Sequence, residues 1–261
     1  MHGTNPTPRP PKRHLLFKES RAAFDFASMW PTLVSARVLS SMERSESLVI
    51  VVPGFGSGDS YTLPLRQFLD AKGYDCEGWG LGTNLGGNNV EHTQSDLSER
   101  WNFTPRTNYN GEAAVPLMID RLYERVLERH EDTGRRVTLI GWSLGGFMAR
   151  EVARDLPNTV DRVVTLGSPV IGGPKYTAVA PVFKQRGTDM DWIEEEIKQR
   201  EERPITQPIT AIYSKSDGIV GWQATLDHYS PRVRHIEMDV AHLGMGFNRG
   251  VWSEVLTALR E

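Results

Sequence analysis

One junction constrains the fold of this chain more than any other. Val137-Thr138-Leu139-Ile140 is a short apolar, β-branched run of the kind found in strands buried on both faces. It leads directly into Gly141-Trp142-Ser143-Leu144-Gly145, and helical periodicity follows from about Gly145 to Leu156. A buried strand that turns at once into an amphipathic helix belongs in a parallel sheet covered by helices on both faces.

The rest of the chain repeats that rhythm. Leu48-Val49-Ile50-Val51-Val52 reads as a buried strand ending in Pro53-Gly54, followed by a helix from near Pro64 with Leu65, Phe68 and Leu69 on one face and Gly73 as its C-cap. A short strand is expected around Asp75–Trp79. Val115, Met118, Ile119, Leu122, Val126 and Leu127 make a clean helical stripe. Further strands are expected at Val160–Leu166, Ile209–Tyr213 and Val233–Met238, with a closing helix through Val251, Trp252, Val255 and Leu259. The reading is an α/β fold with a mostly parallel central sheet.

The 261 residues suit one domain, assigned to 15–261, preceded by a basic, Pro-rich tail at 1–14 that is expected to be disordered. Residues 20–41 are expected to form two short helices separated at Pro31. Two stretches depart from the alternation. Gly80 to Asn110 is a long Gly- and Asn-rich loop, a type that is usually functional or mobile. Residues 172–205 lie between two strands and read as a small cap, with an acidic amphipathic helix presenting Met190, Ile193 and Ile197 on one side.

Bulk properties exclude several roles. A net charge of −3 argues against nucleic acid as a partner. The only cysteine, Cys76, reads as a buried apolar thiol and precludes an intrachain disulfide. The histidines do not cluster at metal-ligand spacing, so no metal and no organic cofactor are expected. The start lacks the apolar run of a signal peptide, and no segment approaches the roughly 20 apolar residues of a membrane span. A cytoplasmic protein is expected. A membrane or lipid interface has only the amphipathic cap helix in its favour, and oligomeric state is not readable.

Chemistry concentrates at the opening junction. Gly141-Trp142-Ser143-Leu144-Gly145 is a G-x-S-x-G motif in the strand–turn–helix setting that gives it meaning. Small flanking residues let the chain turn sharply and thrust Ser143 above the sheet, while the helix N-terminus favours negative charge beside it. The bland reading of the same residues is a glycine-rich turn with a serine N-cap. A serine hydroxyl needs a base, and the partners should follow in the order acid, then histidine, each after a later strand. Asp217 follows the Ile209–Tyr213 strand and His242 follows the Val233–Met238 strand. Each alone also fits an ordinary loop residue. His228, His235 and Asp239 are worse placed, and Asp189 and Asp191 read as solvated cap residues.

An acyl-transfer oxyanion needs backbone N–H donors, assigned to Leu144 and to Phe55 in the loop after the first buried strand. Gly54 and Trp142 are candidates for the substrate pocket, Trp142 equally for the core. The same loop, with Gly54, Gly56 and Gly58, faintly resembles a dinucleotide fingerprint, but the spacing is not G-x-G-x-x-G.

With these residues assembled, the chain resembles bacterial lipase- and esterase-type members of the α/β-hydrolase superfamily. The matching segments are Pro53-Gly54-Phe55-Gly56, Gly78 to Gly86, Gly141 to Gly146, Val164 to Pro169, Tyr213 to Trp222 and Ala241-His242-Leu243-Gly244. The resemblance implies the α/β-hydrolase fold and hydrolysis of a small-molecule carboxylic ester through an acyl-enzyme, with Ser143, Asp217 and His242 as triad. Thioester, amide or acyl-transfer chemistry on the same residues remains open, as does a non-catalytic interaction module. Many relatives carry His-Gly where this chain has Pro53-Gly54, which removes a side chain that often steadies the oxyanion loop. The cap has no counterpart to guide substrate choice.

Overall fold

The computed structural model describes residues 5–38, 45, 47–104 and 106–261. Six strands form one parallel sheet in the order β2-β1-β3-β4-β5-β6. They are β1 (Leu48–Val52), β2 (Asp75–Gly78), β3 (Val137–Trp142), β4 (Val160–Leu166), β5 (Ile209–Tyr213) and β6 (Val233–Glu237). The helices are α1 (Arg21–Val38), α2 (Asp59–Asp70), α3 (Ala114–Thr133), α4 (Leu144–Asp155), α5 (Ala180–Gln185), α6 (Met190–Arg200) and α7 (Arg249–Ala258).

Every residue of β1 and β3 is buried, as their unbroken apolar character requires. Alternation along β1 divides the core. Val49 and Val51 face Met29 and Leu33 of α1, Leu65 and Leu69 of α2 and Trp252 of α7. Leu48, Ile50 and Val52 face Met118 and Leu122 of α3 and Val152 of α4. At roughly 1.5–3 kcal/mol for each large aliphatic side chain removed from water, these two layers supply the main stabilising force.

Strand order fixes where a site can form. The chain runs outward from β1 to β2, then returns to place β3 on the other side of β1. The chain leaves β1 for α2 on one face of the sheet and β3 for α4 on the other, so the carboxyl ends of these neighbouring strands mark the switch point, the usual place for a ligand in an open parallel sheet. Phe55 lies in the loop after β1 and Ser143 in the turn after β3.

Two expectations need correction. Residues 21–38 form one continuous helix, α1, not two, and residues 39–41 lie outside the described residues. Pro31 is tolerated because it and Ala27, whose carbonyl loses its i+4 donor, both sit on the exposed face. Similarly, α2 begins at Asp59 and contains Pro64. The carbonyl freed by Pro64 belongs to the exposed residue Ser60. Before α1, Arg13–Ser20 forms a 3-10 helix, and residues 5–12 are irregular.

The cap comprises a 3-10 turn at Gly173–Tyr176, then α5 and α6. Asp189, expected to be solvated, has a 42% exposed side chain and also caps α6, accepting the N–H of Trp192 (3.0 Å) and pairing with Arg106 (2.9 Å). A buried ionic network ties the cap to α4. Arg150 bonds Glu201 (2.9 Å) and Asp227, Arg154 also reaches Glu201 (2.9 Å), and Arg200 reaches Asp155 (2.9 Å) and Glu151. Cys76 is half-buried; burial, then Asp70 and Asp75, push its thiol well above the ordinary value. Among the described residues, no helix is long and apolar enough to cross a membrane.

Candidate active site

Ser143 sits at the turn between β3 and α4 with φ 54° and ψ −124°, the only non-glycine residue with positive φ among those described. Holding a residue there costs about 1–3 kcal/mol, which the surrounding packing must offset. Two glycines make the turn possible. A Cβ on Gly141 would lie 2.3 Å from Gly146 Cα, and one on Gly145 would lie 2.3 Å from the Val52 carbonyl oxygen. Backbone cannot retreat from either contact, so the motif's spacing is a steric requirement of the sharp turn.

Asp217 and His242 meet although 25 residues separate them. Asp217 Oδ2 accepts from His242 Nδ1 at 2.7 Å, while Asp217 Oδ1 accepts the N–H groups of Ile219 (2.8 Å) and Val220 (2.7 Å). All the acceptor strength of this buried carboxylate is thus directed, and the histidine ring is turned with Nε2 away from the acid. Ser143 and His242 border one cavity, and Ser143 Oγ makes no hydrogen bond among the described residues. A catalytic serine–histidine contact is often long without substrate.

The backbone N–H groups of Phe55 and Leu144 likewise donate to nothing among the described residues. Their loops are pressed together: a Cβ on Gly54 would stand 3.0 Å from Ser143 Cβ and 2.6 Å from the Trp142 ring. Gly54, expected at the pocket, is therefore not among the lining residues; it lies underneath, where only a glycine fits. Trp142 borders the cavity but is a core residue, 5% exposed; its ring stacks on Tyr61 (centroids 4.1 Å apart) and donates from Nε1 to the His242 carbonyl (3.1 Å).

The cavity has a volume of about 260 Å³ and mostly apolar walls. Phe55 and Phe147 come from the sheet side, Phe103 from the long loop, and Phe183, Trp192 and Ile193 from the cap. The loop is shaped by Asp120 on α3, which accepts from Ser98, Arg100 and Trp101. In the same wall, burial and then Glu195 hold Glu196 above the usual carboxylate range.

The loop carrying Phe55 is supported by Asn84, for which sequence alone suggests no role. Asn84 is fully buried, donates from Nδ2 to the Pro53 carbonyl (2.8 Å), accepts Gly86 N–H at Oδ1 (3.1 Å) and pairs by backbone with Ser57 and Gly56. One asparagine among several in a Gly- and Asn-rich loop gives no signal that it will be buried. Asp59 occupies the start of α2, binding the N–H groups of Trp79 (2.9 Å) and Gly80 (3.1 Å). Its carboxylate stands where a dinucleotide fold would hold phosphate. The other candidates lie elsewhere: His235 Nε2 accepts the N–H of Asp227, and Asp239 is an exposed partner of Arg21.

The model of the Alpha/beta hydrolase family matches residues 22–258. The chain belongs to the alpha/beta hydrolase family. Solved structures of this fold include an esterase from Pyrococcus furiosus, 19% identical over 83% of this chain and 83% of that one, with a TM-score of 0.53. A monoacylglycerol lipase from Paleococcus ferrophilus is 14% identical over 82% and 96%, with a TM-score of 0.52. A lipase-esterase related protein from Clostridium acetobutylicum is 15% identical over 84% and 96%, with a TM-score of 0.54. At these identities the likeness is one of fold. No curated protein matches this alpha/beta hydrolase.

Proposed function

We propose that the protein is a serine hydrolase of small carboxylic esters, acting through an acyl-enzyme on Ser143, within a single domain spanning 15–261. The observation that carries this reading is the strained Ser143 elbow opening onto an apolar cavity shared with the Asp217-bound His242. His242 Nε2 takes the hydroxyl proton as Oγ bonds to the ester carbonyl carbon, and Asp217 holds the ring in the Nδ1–H tautomer. The carbonyl oxygen, now carrying the negative charge, is received by the N–H groups of Phe55 and Leu144. Collapse breaks the C–O bond to the alcohol, which leaves with the proton from His242. Water then repeats the sequence on the acyl-enzyme, releasing the acid and restoring Ser143.

The mostly apolar walls support an acyl or alcohol group of hydrocarbon character, and no metal or organic cofactor enters the chemistry. The likeness to esterases and lipases agrees with this assignment at the level of fold. A fluorophosphonate probe tests it directly. Covalent labelling recovered on the peptide containing Ser143, and lost in Ser143→Ala, is the expected result. A folded protein that never labels contradicts it.

A further inference from the structure

We infer that Glu19 is a positioning residue for the reaction, clamping the loop that carries Asp217 to the loop that carries His242; this rests on the serine-hydrolase reading above. Glu19 lies at the end of the N-terminal 3-10 helix and is only 8% exposed. Its Oε1 accepts the N–H groups of Gly218 (2.8 Å) and His242 (3.0 Å), and its Oε2 accepts that of Leu243 (2.9 Å). One carboxylate thus bonds the residue after the acid, the histidine itself and the residue after the histidine.

A buried carboxylate is costly unless hydrogen bonds satisfy it, and bonds from N–H to a charged acceptor are the stronger kind. Here the three donors would otherwise be backbone groups with no partner. The carbonyls of the same stretch are held from the other side, His242 by Trp142 Nε1 (3.1 Å) and Leu243 by the Tyr61 hydroxyl (2.7 Å). Burial, above all, pushes the Tyr61 phenol up, so it remains a neutral donor. Among the described residues, only Glu19 hydrogen-bonds across both loops with a side chain that belongs to neither.

The fold makes room for this contact. A Cβ on Gly218 would lie 2.6 Å from the Leu15 carbonyl oxygen, so the N-terminal segment can lie flat on the acid loop only because that residue is glycine. Around the clamp, Lys18 bonds Ser216 (3.2 Å), Arg21 bonds Asp239 (3.2 Å) and Asp25 bonds Asn248 (2.8 Å). Leu33 and Met29 anchor the following helix in the core. The N-terminal segment is therefore a strap over the two catalytic loops, with Glu19 as its fastening.

Glu19 touches neither substrate nor the reacting atoms, so its loss should loosen geometry without altering binding. Misplacement of catalytic groups by about 1 Å costs on the order of 100-fold in rate. For Glu19→Ala, kcat is expected to fall about 10- to 100-fold with KM within about twofold of wild type. Glu19→Gln keeps one acceptor oxygen but turns an amide N–H₂ towards one donor, and should recover part of the rate. Leu33→Ala is the control: it lowers Tm without touching the clamp and should leave kcat unchanged. Amide hydrogen exchange at Gly218, His242 and Leu243 should quicken in Glu19→Ala and not in Leu33→Ala. Wild-type kcat and exchange in both folded Glu19 variants would overturn the inference, as would an equal loss of kcat in Leu33→Ala. A wild type that is folded but unreactive towards the fluorophosphonate probe would refute the serine-hydrolase reading instead, and the clamp would then be judged by exchange alone.

Discussion

Asp217 Oδ2 lies 2.7 Å from His242 Nδ1, with neither side chain more than 2% exposed. In so dry a setting the hydrogen bond decides which ring nitrogen carries the proton and where the other one points. Asp217→Asn preserves the shape but offers the ring a donor where it needs an acceptor. Turnover should fall by about four orders of magnitude with little change in KM. Steady-state kinetics on the folded variant checks this; a loss below about tenfold would remove Asp217 from the mechanism.

Asn84 joins the loop carrying Phe55 to the glycine-rich loop beside it. In Asn84→Ala the buried Pro53 carbonyl loses its side-chain donor, a change that costs about 1–3 kcal/mol in stability. The Phe55 N–H moves with Pro53, so kcat should drop about tenfold or more beyond any effect of unfolding. Urea titration and kinetics on the same preparation separate the two effects. Unchanged kcat alongside reduced stability would mean that the loop keeps its position without Asn84.

The aromatic and aliphatic walls of the cavity set a preference for hydrocarbon. Each buried methylene is worth about 0.8 kcal/mol, so kcat/KM for p-nitrophenyl esters should rise up to about fourfold per added carbon until the cavity is full. Ile193→Trp, which fills space on the cap side, should move that limit to shorter chains. A flat profile from acetate upwards would show that the cavity does not receive the acyl group.

Asp227 connects the cap's ionic network to acid stability. Burial raises its pKa, but Arg150 and the Ser230 N–H outweigh this and hold it at about 2. Because the folded value lies below the unfolded one, its contribution is fully present above about pH 4 and is lost as pH falls through about 2. A shift of this size corresponds to about 2 kcal/mol for this buried group. The stability gap between wild type and Asp227→Asn should therefore be constant from about pH 5 to 7 and shrink steeply in acid. A gap independent of pH down to about 2 would show that folding does not lower the pKa of this carboxylate.

Where the chain obeys local rules, its sequence reveals the result. Buried strands such as Val137–Trp142 show themselves by composition, and Ser143, Asp217 and His242 stand out because each follows a strand where the elbow motif requires a partner. Long-range contacts are different. Nothing near Glu19 indicates that its carboxylate will meet amides more than 190 residues away, since those separations are 199, 223 and 224. Pro31 and Pro64, both inside helices, are a related case. A proline breaks a helix when the carbonyl it frees is buried, and exposure is a property of the folded surface. Asn84 is hidden likewise, its polar character masking a core position where Pro53, Gly86 and Met148 satisfy the side chain.

The central claim is that Ser143 is an acylated nucleophile, and hydrolysis of p-nitrophenyl butyrate by wild type and Ser143→Ala, each shown to be folded by circular dichroism, tests it most directly. The expected result is turnover by wild type and a loss on the order of 10⁵-fold in the variant. Equal rates in the two proteins, or a folded wild type with no activity on any ester offered, would contradict it.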